Sequence, residues 1–307
     1  MSTQKQWVDG FLIVLIYIAL LFMFLTGLPI VDMLAMCVLP LPFVYYTAKY
    51  GLRNGFLFVI ICVAIGLLLI WHVFIATFFV VIGYVLGALT YKQVSGTDRF
   101  VYTGMTVFFF LMGAYLFLLA ATDFSLGTLF RESFDQSVRM LEAAGVNSFD
   151  ENMIETYLST LEGLTTFLLL LFSCIYAWIV YVFSAMMFRW KGISYKRLPA
   201  FINWTFPRLL LIYYMILLLI GLFEPDSGTL LFIVYHSGIA IVSVFLALQG
   251  TSFLVKYVQS RRSSPQRKIV CIVGIVLGIL LLPIAFYVLK IIGMLDMIFK
   301  LRERLQS

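Results

Sequence analysis

The stretch GFLIVLIYIALLFMFLTGLPI, from Gly10 to Ile30, contains no charged residue. A helix needs about 20 apolar residues to cross the hydrocarbon core of a bilayer, and this stretch is long enough. Similar runs extend over Val101–Ala121 and Gly163–Phe188. Because apolarity is continuous along these runs and does not alternate, a transmembrane β-barrel is excluded. The sequence therefore predicts an all-α, polytopic transmembrane helical bundle.

The composition supports a membrane protein of this kind. Hydrophobic residues make up 63% of the chain and charged residues 12%, against about half and about a quarter in an ordinary soluble domain. The net charge of +6 comes from basic residues in short loops between apolar runs, so we expect the lipid bilayer and no nucleic acid as partner. The four cysteines lie in apolar segments without CxxC spacing, and we predict no metal site and no cofactor.

The periodicity predicts eight or nine spans. The count depends on Gly55–Tyr91, which carries no formal charge and is too long for one span. This segment either turns near Trp71 and His72 or holds a re-entrant piece. The predicted helices are Gly10–Ile30, Met33–Ala48, Gly55–Ile70, Val73–Leu89, Val101–Thr122, Leu164–Phe188, Pro207–Phe223, Thr229–Leu248 and Ile269–Leu289.

The loop charges predict the orientation of these spans. Arg189–Arg208 and Gln249–Lys268 each hold five basic residues and no acidic residue, so both loops should be cytoplasmic. The N-terminus and the loop that contains Lys92 and Arg99 then fall on the same side. We therefore expect a multi-pass protein of the cell membrane with a cytoplasmic N-terminus.

The chain as a whole is predicted to be a single integral membrane domain. Its N-terminal spans occupy residues 1–122, an outer loop residues 123–162, and its C-terminal spans residues 163–307. A ninth span would place Lys300, Arg302 and Arg304 outside, against the charge rule. Either this tail lies along the membrane surface, or one predicted helix is not a full crossing.

The outer loop is acidic and has helical periodicity. The loop contains eight acidic residues and two basic ones. Ser148 with Glu151 forms a capping box. Apolar residues recur at helical spacing, namely Phe130, Phe134, Val138 and Leu141. We predict two amphipathic helices over the outer mouth, which form either a solvated hairpin or a lid or partner surface.

Glycines and prolines mark close packing. Gly83 and Gly87 are four residues apart, as are Gly274 and Gly278, and this spacing favours helix packing within the chain over dimerisation. Pro40 and Pro42 remove backbone donors from the second span and predict a buried helix distortion. This is either a kinked packed helix or a broken helix that lines a ligand cavity.

Catalytic signatures are missing from the sequence. The histidines His72 and His236 are far apart, and the chain has no HExxH, no GxSxG and no P-loop. We therefore expect a protein that is not an enzyme.

Three motifs resemble the YybS family of predicted membrane proteins from Gram-positive bacteria. They are LPLPFVYYTAKYGLRNG, which ends at Gly55, ALQGTSFLVKY (Ala247–Tyr257) and IGMLDMIFKLRERL (Ile292–Leu305). The first part of the chain is also distantly similar to the substrate-binding S components of energy-coupling-factor vitamin transporters, which carry a proline-containing span followed by a glycine and basic turn. The chain departs from their AxxxA docking face, because Ile16–Leu25 contains only Ala19.

The resemblance implies a non-enzymatic membrane protein that binds a small hydrophilic ligand or serves a transport system. The alternative is a structural protein of the cell envelope that docks a membrane protein partner. Polar groups at membrane depth gather toward the predicted outer half, where they predict an outward-opening pocket. The candidate ligand-binding residues are His236, Tyr213, Tyr214, Trp71, His72, Asp32 and Asp123. The alternative for His236 is a hydrogen bond to a neighbouring helix.

Overall fold

The computed structural model describes residues 3–70, 73–122, 126–143, 151–260, 266, 273–274 and 283–304. In these ranges the regular structure is helical and contains no strand, which confirms the all-α prediction. The helices are α1 (Thr3–Phe24), α2 (Pro29–Val38), α3 (Leu41–Tyr50), α4 (Leu52–Ile70), α5 (Val73–Tyr91), α6 (Gly96–Ala121), α7 (Leu126–Ala143), α8 (Glu151–Gly163), α9 (Thr165–Lys191), α10 (Leu209–Gly221), α11 (Leu230–Ser260), α12 (Pro283–Phe299) and α13 (Leu301–Arg304). A short 3-10 turn covers Phe201–Asn203.

Several of these helices are long and apolar enough to cross a membrane. Among the described residues there are five such segments, Gln4–Phe24, Pro29–Tyr50, Gly96–Ala121, Thr165–Lys191 and Leu230–Ser260. Shorter apolar helices cover Leu52–Leu68, Thr77–Tyr91 and Leu209–Gly221. The polytopic helical class is thus confirmed, while the count of eight or nine spans stays a prediction.

The bounds of some helices differ from the prediction. The predicted helix Met33–Ala48 is divided into α2 and α3, because Pro40 has no N–H to continue the helical ladder. Helix α11 runs on to Ser260, well past the predicted end at Leu248. Helix α12 ends at Phe299, whereas most of the predicted span Ile269–Leu289 lies outside the described residues.

The two amphipathic outer helices are present as α7 and α8. On α7 the apolar positions Phe130, Phe134 and Val138 are half-buried, and the charged positions between them are exposed. Helix α8 ends at Gly163 and α9 begins at Thr165, so the second outer helix leads into the next span with a single interruption. The predicted cap residue Ser148 lies outside the described residues.

The chain divides into two compact units. Unit 1 consists of Met1–Asp123 and Leu169–Leu198, and unit 2 of Phe124–Leu168 and Pro199–Ser307. Unit 1 therefore contains α1 to α6 and most of α9. Unit 2 contains the outer helices α7 and α8, the start of α9, and α10 to α13.

Aromatic side chains fill the core of unit 1. The ring of Tyr17 from α1 packs edge-on against Phe43 from α3 at 5.0 Å, and Tyr46 stacks on Phe58 from α4 at 4.3 Å. Tyr17 and Phe43 are fully buried. By contrast, large apolar residues such as Trp7 and Phe109 are exposed on the outside, as expected where lipid is the solvent.

Unit 2 is built on α11. Helix α10 packs against it through Tyr214 and Leu217, which form a buried cluster with Val242 and Leu246. Helix α12 approaches α11 at Gly250 and Gly293, where an added Cβ on either glycine would overlap backbone atoms of the other helix. Such close approach of two backbones requires glycine at both positions.

Candidate functional site

The break between α2 and α3 lies in the interior of unit 1. Leu39 and Phe43 are completely buried, and both Pro40 and Pro42 are buried as well. The prediction of a buried helix distortion is therefore confirmed. In a membrane, irregular backbone is tolerated where protein surrounds it, because unsatisfied polar groups in lipid each cost several kcal/mol.

One carbonyl that the break releases is satisfied from another helix. In a continuous helix the N–H of residue 40 would bond to the carbonyl of Met36, but proline has no such donor. Instead the hydroxyl of Tyr176, on α9, donates a hydrogen bond to the Met36 carbonyl at 2.9 Å. Pro42 likewise cannot donate to the carbonyl of Val38. The Met36 carbonyl thus bonds to a neighbouring helix and not along its own span.

Helix α5 closes the other side of the break at backbone contact. A Cβ on Gly83 would overlap the Pro40 carbonyl oxygen, and a Cβ on Gly87 would lie 2.8 Å from the Val44 carbonyl oxygen. The prediction that Gly83 and Gly87 serve packing within the chain is confirmed. For the second pair, an added Cβ on Gly274 would meet no atom of the described residues within 4 Å, and Gly278 lies outside those residues.

A layer of aromatic rings adjoins Tyr176, and we call it the aromatic layer. Phe78 of α5 lies 5.5 Å from the ring of Tyr176 and 5.1 Å from the ring of Phe79. Further contacts join Phe110 to Phe78, Phe172 to Tyr176 and Phe24 to Phe79. The layer comprises Phe24, Phe78, Phe79, Phe110, Phe172 and Tyr176. It places flat apolar surfaces next to the hydroxyl and carbonyl groups of the break.

Near the turn after α3, charged groups of two helices pair. Lys49 of α3 forms an ion pair with Asp9 of α1 at 2.5 Å, and the hydroxyl of Tyr50 donates to the same carboxylate. Gly51 then turns the chain with a φ of 88°, a conformation that glycine adopts without steric cost. The pairing of Lys49 with Asp9 depends on how α1 packs.

Arg99 is placed differently from the sequence prediction. It was assigned to a charged loop, yet it lies in the first turn of α6 and is 1% exposed. Its guanidinium donates to Thr90, to the hydroxyl of Tyr181 and to the carbonyl of Lys196. Within the described residues its Nε has no hydrogen-bond partner. A buried cation thus holds the segment after α9 against α6, which no periodicity in the sequence could indicate.

Unit 2 contains a buried polar network that joins two of the motifs quoted above. The Gln249 side chain donates to Asp296 at 2.5 Å, and the Arg302 guanidinium pairs with the same carboxylate at 2.8 Å. Arg302 also donates to the carbonyls of Gln249 and Trp204. Since Arg302 lies beside Trp204, the basic tail sits next to the end of the basic Arg189–Arg208 loop. The side of the membrane on which this tail lies stays a prediction.

The seven predicted ligand-binding residues are distributed over both units. Trp71, His72 and Asp123 lie outside the described residues. Asp32 is in the first turn of α2, in unit 1, and accepts a hydrogen bond from the Thr26 hydroxyl at 3.3 Å. The other three residues belong to unit 2. Their joint role in one pocket stays a prediction.

The three predicted residues of unit 2 have distinct surroundings. The Nδ1 of His236 lies 3.0 Å from the Phe232 carbonyl of its own helix, and its ring packs on Phe232 at 4.0 Å. Tyr213 is 52% exposed, whereas Tyr214 is buried and lies under the amine of Lys290 at 5.4 Å. Neighbouring residues on a helix point about 100° apart, so the two tyrosines do not form one wall.

Several apolar helices and a broken span buried among its neighbours define a multi-pass α-helical membrane protein. The chain belongs to the family described as "Predicted membrane protein (DUF2232)", which matches residues 15–297. It is 20% identical over 319 residues to the "Uncharacterized protein YybS" of Bacillus subtilis (strain 168), with 100% of both chains covered. The resemblance to the YybS family is thereby confirmed. No solved structure matches the chain.

Proposed function

We propose that this protein is a non-enzymatic membrane subunit that binds a small hydrophilic molecule, in the manner of an S component of a transport system. The observation that carries the proposal is the broken α2–α3 span buried inside unit 1. In membrane transport proteins, discontinuous helices place free backbone groups where a solute binds. The distant similarity to S components, which share a proline-containing span and a glycine and basic turn, agrees with this role.

The proposed ligand position is next to the break, at the aromatic layer. Tyr176 and Phe78 offer ring faces, and the carbonyl of Val38, which Pro42 leaves without a helical donor, offers an acceptor. A hydrophilic solute with hydrogen-bond donors and a flat ring would match both features. Asp32, in the first turn of the same broken span, is retained from the predicted set as a polar contact at the entrance.

The orientation belongs to the proposal as well. Basic loops resist translocation, so the Arg189–Arg208 loop and the N-terminus are cytoplasmic. The position of Arg302 beside Trp204 supports this orientation, because it brings the basic tail to the same end of unit 2. The outer helices α7 and α8 then face outward. The lack of catalytic motifs in the sequence is the reason for proposing a binding role rather than an enzymatic one.

Purification in mild detergent, followed by mass spectrometry of small molecules, tests the binding role. We expect a stoichiometric solute in the wild type and its loss in Phe78→Leu, with unchanged elution as a folded monodisperse protein. Phe109→Leu is the matched control, because Phe109 is 67% exposed and lies on the outside of α6. If wild type and both variants carry no solute, the binding role is rejected.

The alternative role is docking of a membrane protein partner by the outer helices. It is favoured by α7, which exposes Leu129, Met140 and Leu141 in addition to its acidic residues. A protein that lacks a bound solute but retains a stoichiometric membrane partner after purification would support docking over solute binding. Reversing charge at Glu132 and Asp135 would then release that partner.

A further inference from the structure

A groove of about 290 Å³ runs along α9 on the surface of unit 1. On α9 it is lined by Trp178, Val182, Ala185 and Met186. Val182 follows Trp178 by four residues, and Ala185 and Met186 follow Val182 by three and four, so all four share one face of the helix. Trp178 and Met186 are 48% and 47% exposed. The groove is thus apolar and open toward the surroundings of the unit.

The groove ends in two free cations. Arg189 continues the same face of α9, and Arg197 reaches the groove from the segment that follows the helix. Both side chains are exposed. Among the described residues, the ion pairs that form involve other cations, and no carboxylate pairs with Arg189 or Arg197. The positive charge at this end is therefore available to a partner.

Buried contacts fix the geometry of the basic end. The Arg189 Nε donates to the hydroxyl of Tyr195 at 3.3 Å. Tyr195 in turn lies over the buried guanidinium of Arg99 at 5.2 Å, and Tyr181 lies over it at 4.9 Å. The Tyr181 hydroxyl also accepts from the N–H of Leu198 at 3.1 Å. The segment that carries Arg197 is thus held in place, and binding would cost little ordering of the backbone.

The length of the groove matches one leaflet of a bilayer. From Trp178 to Arg189 the helix rises about 16 Å at about 1.5 Å per residue. The hydrocarbon core of a bilayer is about 30 Å thick, so half of it is about 15 Å. An acyl chain could lie along the apolar wall while its head group meets the two arginines.

We infer that this groove binds an anionic phospholipid. Its acyl chain lies against Trp178, Val182 and Met186, and its phosphate accepts charge-assisted hydrogen bonds from Arg189 and Arg197. The planar guanidinium groups can donate paired hydrogen bonds to a phosphate. The groove is apolar along its length and basic at one end, which matches the acyl chain and head group of an anionic lipid. A soluble anion would use the arginines but not the apolar wall.

Native mass spectrometry of the full chain in detergent tests this inference, with phosphatidylglycerol and phosphatidylcholine as probes. We expect phosphatidylglycerol to bind wild type at least about tenfold more tightly than phosphatidylcholine, since hydrogen bonds to charged groups are among the stronger ones. The double variant Arg189→Gln/Arg197→Gln should lose this preference. The control Arg53→Gln/Lys92→Gln removes the same charge from exposed positions of the same unit and should keep it.

Two further measurements separate a lipid from other occupants of the groove. Ala185→Leu fills part of the apolar wall and should weaken phosphatidylglycerol binding severalfold while both arginines remain. Soluble glycerol phosphate should not compete with the lipid. The inference is overturned if wild type binds the two lipids equally, or if both double variants lose the preference for phosphatidylglycerol to the same extent. Unchanged phosphatidylglycerol binding in Ala185→Leu would also overturn it. Full competition by glycerol phosphate would also overturn it, because the site would then recognise the anion alone.

Discussion

The hydroxyl of Tyr176 donates a hydrogen bond of 2.9 Å to the carbonyl of Met36, the group that Pro40 leaves without a helical donor. The two residues are 140 positions apart in the chain. The bond joins α9 to the broken span in the interior of unit 1, where water is excluded. Each carbonyl left free at such a position must find a partner, so the tyrosine compensates for the proline.

Replacing Tyr176 with phenylalanine removes this donor and keeps the ring. We expect the free energy of unfolding to fall by about 1 kcal/mol, because the Met36 carbonyl is then buried without its partner. Thermal unfolding in detergent measures the change. Tyr102→Phe is the control, since Tyr102 is on α6 and 52% exposed. Equal stability of the two variants would show that the bond contributes nothing.

The proline and the tyrosine should be energetically coupled. Pro40→Ala restores an N–H that can bond to the Met36 carbonyl, so Tyr176→Phe should cost less in that background. A double-mutant cycle on the unfolding free energies gives the coupling, and we expect at least about 0.5 kcal/mol. Strict additivity would mean that the two residues do not serve the same carbonyl.

Gly83 should not tolerate a side chain. Gly83→Ala places a methyl group against the Pro40 carbonyl oxygen, and separating α5 from α3 should cost about 1–3 kcal/mol. Gly113→Ala on α6 is the matched control, because no atom in the described part of the chain lies within 4 Å of the added methyl. There we expect no loss, and a gain of up to about 1 kcal/mol from helix propensity. A similar loss of stability in both variants would indicate that the effect of Gly83→Ala does not come from the contact with Pro40.

The buried pair of Asp296 and Arg302 should be sensitive to removal of one partner. Their side chains are 1% and 9% exposed, so Arg302→Met leaves an uncompensated carboxylate and should cost about 3–5 kcal/mol. The double variant Asp296→Leu/Arg302→Met should cost less than the sum of the two single changes. The exposed pair of Lys300 and Glu303 provides the control, because Glu303→Gln should change stability by less than about 1 kcal/mol.

Cysteine labelling on intact cells tests the orientation. In a background without native cysteines, Ser137→Cys on α7 should react with an impermeant thiol reagent, and Ser194→Cys after α9 should react only once the cells are opened. The reason is that basic segments stay in the cytoplasm. The opposite pattern would reverse the proposed topology.

The sequence alone determined the class of protein, because this property is local. Runs such as Gly10–Ile30 are apolar along their full length, and lipid permits only helices or closed barrels. The helical spacing of Phe130, Phe134 and Val138 likewise predicted α7 without any tertiary information. Pro40 predicted the helix break, since a missing donor interrupts the ladder wherever the residue lies.

The partners of the polar groups were decided by the tertiary structure. Arg99 precedes an apolar run and was assigned to a loop, but packing of α6 against Thr90 and Tyr181 buries it. Nothing in the sequence around Gln249 and Asp296 indicates that these residues are in contact. The packing of α11 against α12 nevertheless brings the Gln249 amide nitrogen within 2.5 Å of the Asp296 carboxylate. Helix periodicity defines which face of a helix is apolar but not which helix will cover it. For that physical reason Tyr176 and Met36 could be joined only by the fold.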